Sequence, residues 1–128
     1  MQLETSDQNL ISNYGEGVLS VNGQDYHGNI LITRTRVIED WFCGDLQTLT
    51  VGHFAPLFDD AETIRPDIVV LGTGHLHVFP DFALLADLQQ RGIALEVMNT
   101  RAACRTYSVL VNEYRPVAAA LLQIEPRP

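Results

Sequence analysis

Two stretches hold the residues whose types and spacing could do chemistry. In VVLGTGHLHVFP (69–80) an apolar run meets Gly72, Thr73 and Gly74, then His75 and His77, then Pro80. In NTRAACRTYSVLVNEY (99–114) Arg101 and Arg105 flank Cys104, with Thr106, Tyr107 and Ser108 following. Glycines after a strand can take positive φ and turn backbone N–H groups toward a ligand, and open α/β sheets collect ligands at the carboxyl ends of their strands. A plain chain reversal explains the same corner. The dinucleotide pattern G-x-G-x-x-G would need glycine at 77, which is His77, and no phosphate-loop lysine follows. His75 and His77, two apart, share one face of an extended segment. A metal needs a third and usually a fourth ligand, and nothing in the spacing recruits His27 or His53, so no metal site is expected.

Cations in the first turns of a helix oppose its macrodipole at a cost of about 0.3–1 kcal/mol each. Arg101 and Arg105 therefore invite a reason. Helix N-terminal amides and guanidinium together make an anion pocket; the alternative is solvated arginines pairing with Glu96 or Glu113. Cys104 has two readings as well. Positive charge and the helix start lower a thiol pKa, whereas free cysteines are commonly buried filler, and filler beside Ala103 is the expectation. Ser20 and Ser108 lack a nucleophile-elbow context. Asp81, Asp87 and Glu96 make no arguable carboxylate pair, so catalysis has no motif.

The rest of the chain narrows the choices. Its 128 residues carry net charge −8 with eight arginines and no lysine. That excludes a phosphate-loop lysine, a Schiff base and a Ser–Lys dyad, and it repels a nucleic-acid backbone. Residues 1–67 hold eleven acids against three arginines, and residues 68–128 hold five of each. Anion affinity is thus expected in the second half. MQLETSDQNL is not a secretory signal, no apolar run approaches the roughly 20 residues of a membrane span, and Cys43 and Cys104 form no C-x-x-C. A cytoplasmic protein is expected.

The elements that must position these residues read as one domain over 1–128, with 1–13 and 125–128 as loose termini. Alternating runs at Val18–Val21 and 29–33 around the Asn22-Gly23 turn signal predict an antiparallel pair, with a third extended piece near 36–41. Pro56 suits the first turn of a short helix over 53–62. DIVVLG (67–72) and IALEVM (93–98) read as strands buried on both faces. Residues 80–92 form the clearest helix, with Leu84, Leu85 and Leu88 inward and Gly92 at its end. A second helix, 99–114, has Asn99 or Thr100 as N-cap. It turns Ala103, Tyr107, Leu110 and Tyr114 to the core and Arg101, Arg105, Ser108 and Asn112 away. Residues 115–124 close the sheet. The fold class is α/β with a mixed central sheet: an N-terminal β-hairpin, then strand–helix–strand–helix–strand with a right-handed crossover.

VVLGTG, then GI.LEVMNT, then AACRTYSVLVNEYRPVAAALL resembles the adipogenesis-associated Mth domain family, and G.GVLSVNG..Y.GNILIT with VIEDW extends the likeness over most of the chain. The family ranges from bacteria and archaea to a mitochondrial factor assisting assembly of respiratory complex I. The resemblance implies a compact α/β fold. It also implies that Gly72, Thr73 and Gly74 and the helix start (Thr100, Ala103, Arg105, Thr106, Tyr107) line one cleft. The function it implies is a non-catalytic binding protein, an accessory factor for a membrane or respiratory complex. The ligand-binding set is then Gly72, Thr73, Gly74, His75, Thr100, Arg101, Arg105 and Thr106. It would receive a small anionic ligand, with a protein partner besides and no cofactor. This chain departs from the family at Ser108, where Thr-Tyr is usually followed by Asn. Two other readings remain: a small-molecule enzyme with Cys104 as thiolate and His75 or His77 as base, and a structural subunit whose acidic first half docks on a basic partner.

Overall fold

The computed structural model describes residues 8–59 and 65–125. Asn22 and Gly23 lie at φ 53° and 84°, the two positive angles a type I′ turn requires. They join β2 (Val18–Val21) to β3 (Gln24–Tyr26), with Val21 opposite Gln24. β1 (Ile11–Gly15) pairs antiparallel with the other side of β2, completing a three-stranded sheet. Two expectations are corrected here. A two-residue turn leaves no slack, so the partner of β2 is 24–26 and not 29–33. The lead-in is also not loose through residue 13: Gln8 and Asn9 are buried, and Ile11 already begins a strand.

β4 (Ile30–Ile32) enters a second sheet of five strands, ordered β5-β4-β8-β6-β7. β5 is Val37–Ile38, β6 Ile68–Gly72, β7 Ala94–Met98 and β8 Val117–Leu121. β8 runs parallel to β6 and antiparallel to β4, so the sheet is mixed, as expected. Its VAAAL sequence is buried throughout, which suits a strand covered on both faces. β8 therefore lies at the centre and does not close the sheet at an edge. The edge is β7, whose residues are exposed or half-buried; among the described residues it pairs with β6 alone.

Each face of this sheet has its own cover. On one side lie residues 41–54, α1 (Pro56–Asp59) and α2 (Phe82–Gln90), burying Phe42, Leu46, Leu49, Phe54, Leu84 and Leu88. Pro56 opens α1, as expected, and residues 60–62 of the expected helix lie outside the described residues. Within the expected 80–92, α2 is capped by Asp81 accepting from the Ala83 amide, and Leu85 is only half-buried. On the other side lie the three-stranded sheet and α3 (Thr100–Asn112), capped by Asn99 accepting from Ala102 N–H at 2.9 Å. The α3 core stripe is Thr100, Ala103, Cys104, Tyr107 and Val111. Tyr114 does not belong to it: it lies past the helix end at φ 59° and is exposed.

Two polar devices hold the layers together. The Asn9 side chain donates to the Thr33 and Arg36 carbonyls at 2.9 Å each and accepts from Asn22 Nδ2. Its carbonyl accepts from the Tyr107 hydroxyl at 2.9 Å. Lead-in, hairpin turn, β4–β5 connection and α3 thus share one buried hub. The second device is where β6 meets α3. A Cβ on Gly72 would lie 2.9 Å from Thr100 Cα and 3.1 Å from Ala103 Cβ, closer than backbone and packed side chain tolerate.

Removing one partner of the buried hub leaves the others unpaired, at about 1–3 kcal/mol. Tyr107→Phe is expected to lower the unfolding free energy by that amount, read as a lower urea midpoint with an unchanged slope, and Asn9→Ala by more. An unchanged midpoint in both variants would show that the hub carries no stability. Gly72→Ala is expected to cost a further ~1–3 kcal/mol by overpacking, read in the same titration.

Candidate functional site

The glycine corner and the start of α3 do meet, but they meet closed. The Gly74 amide donates to Thr100 Oγ1 at 2.8 Å, and the Thr100 hydroxyl donates onward to the Leu122 carbonyl at 2.7 Å. The Thr100 amide returns a bond to the Gly74 carbonyl at 2.9 Å, and the Thr73 amide donates to the Met98 carbonyl at 2.9 Å. Gly74 holds φ 97° with the Gln123 carbonyl against the position of a Cβ. The amides that were to face a ligand therefore bind the protein's own groups, the Thr100 hydroxyl and the Met98 carbonyl. Thr100 is fully buried and fills the space between the segments. In this packing Thr73, Gly74 and Thr100 hydrogen-bond within the protein, and no ligand is needed to satisfy those groups.

The remaining expected residues separate. The Thr73 hydroxyl donates to the Leu76 carbonyl at 2.6 Å and accepts from Val78 N–H at 3.1 Å, folding the loop that follows. His75 is half-buried in that loop, and the exposed His77 packs its ring 4.8 Å from the ring of Phe79. The Thr106 hydroxyl contacts the sulfur of Met98 at 3.3 Å. Arg101 and Arg105 are exposed on the outer side of α3, and neither forms an ion pair among the described residues.

Arg105 instead borders a groove of about 660 Å³ between α3 and β1, with Ser12, Tyr14, Cys104, Ser108 and Val109. Its guanidinium donates to the Tyr14 hydroxyl at 3.4 Å. No carboxylate lines this groove, so its fixed charge is positive while hydroxyls supply donors and acceptors. Ser108, the departure from the family pattern, contributes to the wall. Sequence reasoning missed Ser12 and Tyr14 because the segment ahead of the hairpin was read as a loose lead-in. The local signal was weak: ISNY does not alternate, and only Gly15-Glu16-Gly17 ahead of Val18–Val21 points to a strand pair there.

Cys104 is a poor nucleophile. Burial pushes its thiol from 9.0 up to about 12, against the lowering charges of Arg105 and Arg101. Burial likewise pushes the Tyr107 phenol above its ordinary range. Among the described residues no group of three or more His, Cys, Asp or Glu side chains is placed to hold a metal ion, and no helix is long and apolar enough to cross a membrane.

Comparison with known proteins places this architecture. The human NADH dehydrogenase [ubiquinone] 1 alpha subcomplex assembly factor 3 is 34% identical over 122 residues, covering 95% of this chain and 65% of the human protein. The chain therefore spans less than two-thirds of that relative. The Francisella tularensis 13 kDa major membrane protein is 26% identical over 110 residues, covering 85% of this chain and 86% of that protein. A solution structure from Bordetella pertussis, described as a Mth938-like domain, superposes with a TM-score of 0.76 at 26% identity, covering 98% of this chain and 94% of that one. Residues 11–122 match the family model described as Protein of unknown function (DUF498/DUF598), and the chain, with its Mth938-like fold, belongs to that family.

Proposed function

We propose that the protein is a non-catalytic accessory factor in the assembly of a membrane or respiratory complex. Its anion-accepting site would be the groove between α3 and β1, displaced from the closed glycine corner. The observation that carries the reading is the 34% identity to the human assembly factor across 95% of this chain. The groove supports it: Arg105 offers a planar fork suited to a carboxylate, with the Tyr14, Ser12 and Ser108 hydroxyls beside it. Such a site takes a small carboxylate or a partner's acidic side chain. The thiolate-enzyme alternative lacks support, because Cys104 is buried and among the described residues no histidine hydrogen-bonds to it.

Three measurements test this. Deleting the gene from its own host is expected to reduce or delay a respiratory complex on native gels; undisturbed complexes overturn the assembly reading. In the purified protein, succinate or citrate at ten times its Kd is expected to stabilise by about 1.4 kcal/mol, an effect lost in Arg105→Ala. Equal melting shifts in both proteins would remove the groove from the proposal and leave the assembly reading standing. Iodoacetamide at neutral pH is expected to label Cys43, which is exposed, and to spare Cys104 until unfolding. Because the Cys104 pKa is raised on folding, its contribution is complete below the unfolded value of 9.0 and is lost as pH climbs toward about 12. Stability should fall over that window, and less steeply in Cys104→Ala.

A further inference from the structure

From the end of β6 into the first turn of α2 the chain holds four large apolar side chains in water. Leu76 is 61% exposed, Val78 42%, Phe79 65% and Phe82 78%. Single exposed apolar residues need no explanation, but a contiguous set marks an interaction surface. The set is also braced. Thr73 ties both Leu76 and Val78, and Gln47 Nε2 donates to the Phe79 carbonyl at 2.8 Å. Pro80 is buried behind the loop, and Asp81 caps the helix that Phe82 begins. These bonds hold the loop backbone in place while both phenylalanine side chains stand exposed. The loop presents them.

The surrounding charge selects the occupant. Residues 73–90, which include the whole of this loop and α2, carry two acids, Asp81 and Asp87, and neither arginine nor lysine. Asp81 lies within the loop, and Asp45 caps the turn whose Gln47 grips Phe79; both acids are exposed. The cations of this layer, Arg65 and Arg91, sit at the far end of α2, their guanidiniums 5.4 and 4.7 Å from the centre of the Phe58 ring. A second copy docked here would set the same acidic rim against itself. An anionic bilayer would be repelled by a chain of net charge −8.

We infer that the 76–82 loop is the docking surface for a basic, amphipathic segment of a partner protein. Apolar side chains of that segment cover Phe79 and Phe82, and its arginines or lysines meet Asp81 and Asp45. The surface is separate from the α3–β1 groove and does not rest on it: a binder of anions on one helix coexists with a binder of cations beside the other.

Fluorescence anisotropy tests this with a labelled synthetic amphipathic helix carrying leucine on one face and arginine on the other, and with its glutamate counterpart. The full chain is expected to bind the arginine peptide and to discriminate against the glutamate peptide by at least tenfold. Phe79→Ser with Phe82→Ser should weaken binding roughly tenfold or more, as loss of aromatic anchors does, while the far-UV circular dichroism stays unchanged. Asp81→Ser keeps a capping side chain and removes one charge, so it should weaken binding less and flatten the salt dependence. The inference is overturned if neither peptide binds at millimolar concentration or if both bind equally. It is equally overturned if the phenylalanines instead govern self-association by sedimentation, or binding to phosphatidylglycerol vesicles.

Discussion

One threonine hydroxyl gathers the carboxyl end of the sheet. Thr100 Oγ1 accepts from the Gly74 amide and donates to the Leu122 carbonyl, so the segments leaving β6 and β8 are both tied to the first residue of α3. That residue in turn follows β7 directly. The arrangement is possible only because Gly72 lacks a Cβ, which lets the helix backbone approach the strand to a separation no other residue permits. Everything that α3 carries depends on this contact: the buried Tyr107 hydroxyl, the Cys104 filler and the outward row of Arg101 and Arg105 are placed by where the helix begins. The same closeness spends the amide hydrogens that open α/β sheets commonly leave for ligands.

Much of the fold was legible because its signals are local. The Asn22-Gly23 turn, the apolar runs of β6 and β8, the α2 leucines and the Asn99 cap each follow from backbone geometry or periodicity within a few residues. The misreadings share a cause: each needed a long-range partner. The strand at 30–32 pairs with β8, some ninety residues later in the sequence, and nothing local distinguishes it from a hairpin arm. β8 reads as a last strand in order but is central in space. The Mth resemblance correctly indicated family and fold. The site was harder. That Gly72, Gly74 and Thr100 converge could be argued from topology, but whether their polar groups face a ligand or one another is a matter of ångströms.

The net charge of −8 conceals a sorting by layer. The cover built from 41–59 and α2 is acidic around an apolar loop, whereas α3 presents guanidiniums beside hydroxyls. Because the sheet between them is buried and rigid, the two surfaces are held at a fixed separation and cannot neutralise each other.

The central position of β8 also bears on how the molecule is made. During synthesis β4 and β6 leave the ribosome with the facing sides of their ladders empty, and the strand that joins them is translated after α1, α2 and α3. Until residues 117–121 emerge, the nascent chain carries two exposed strand edges and an incomplete core, a form open to pairing with other chains. The five-stranded sheet is therefore completed last, when β8 inserts between β4 and β6.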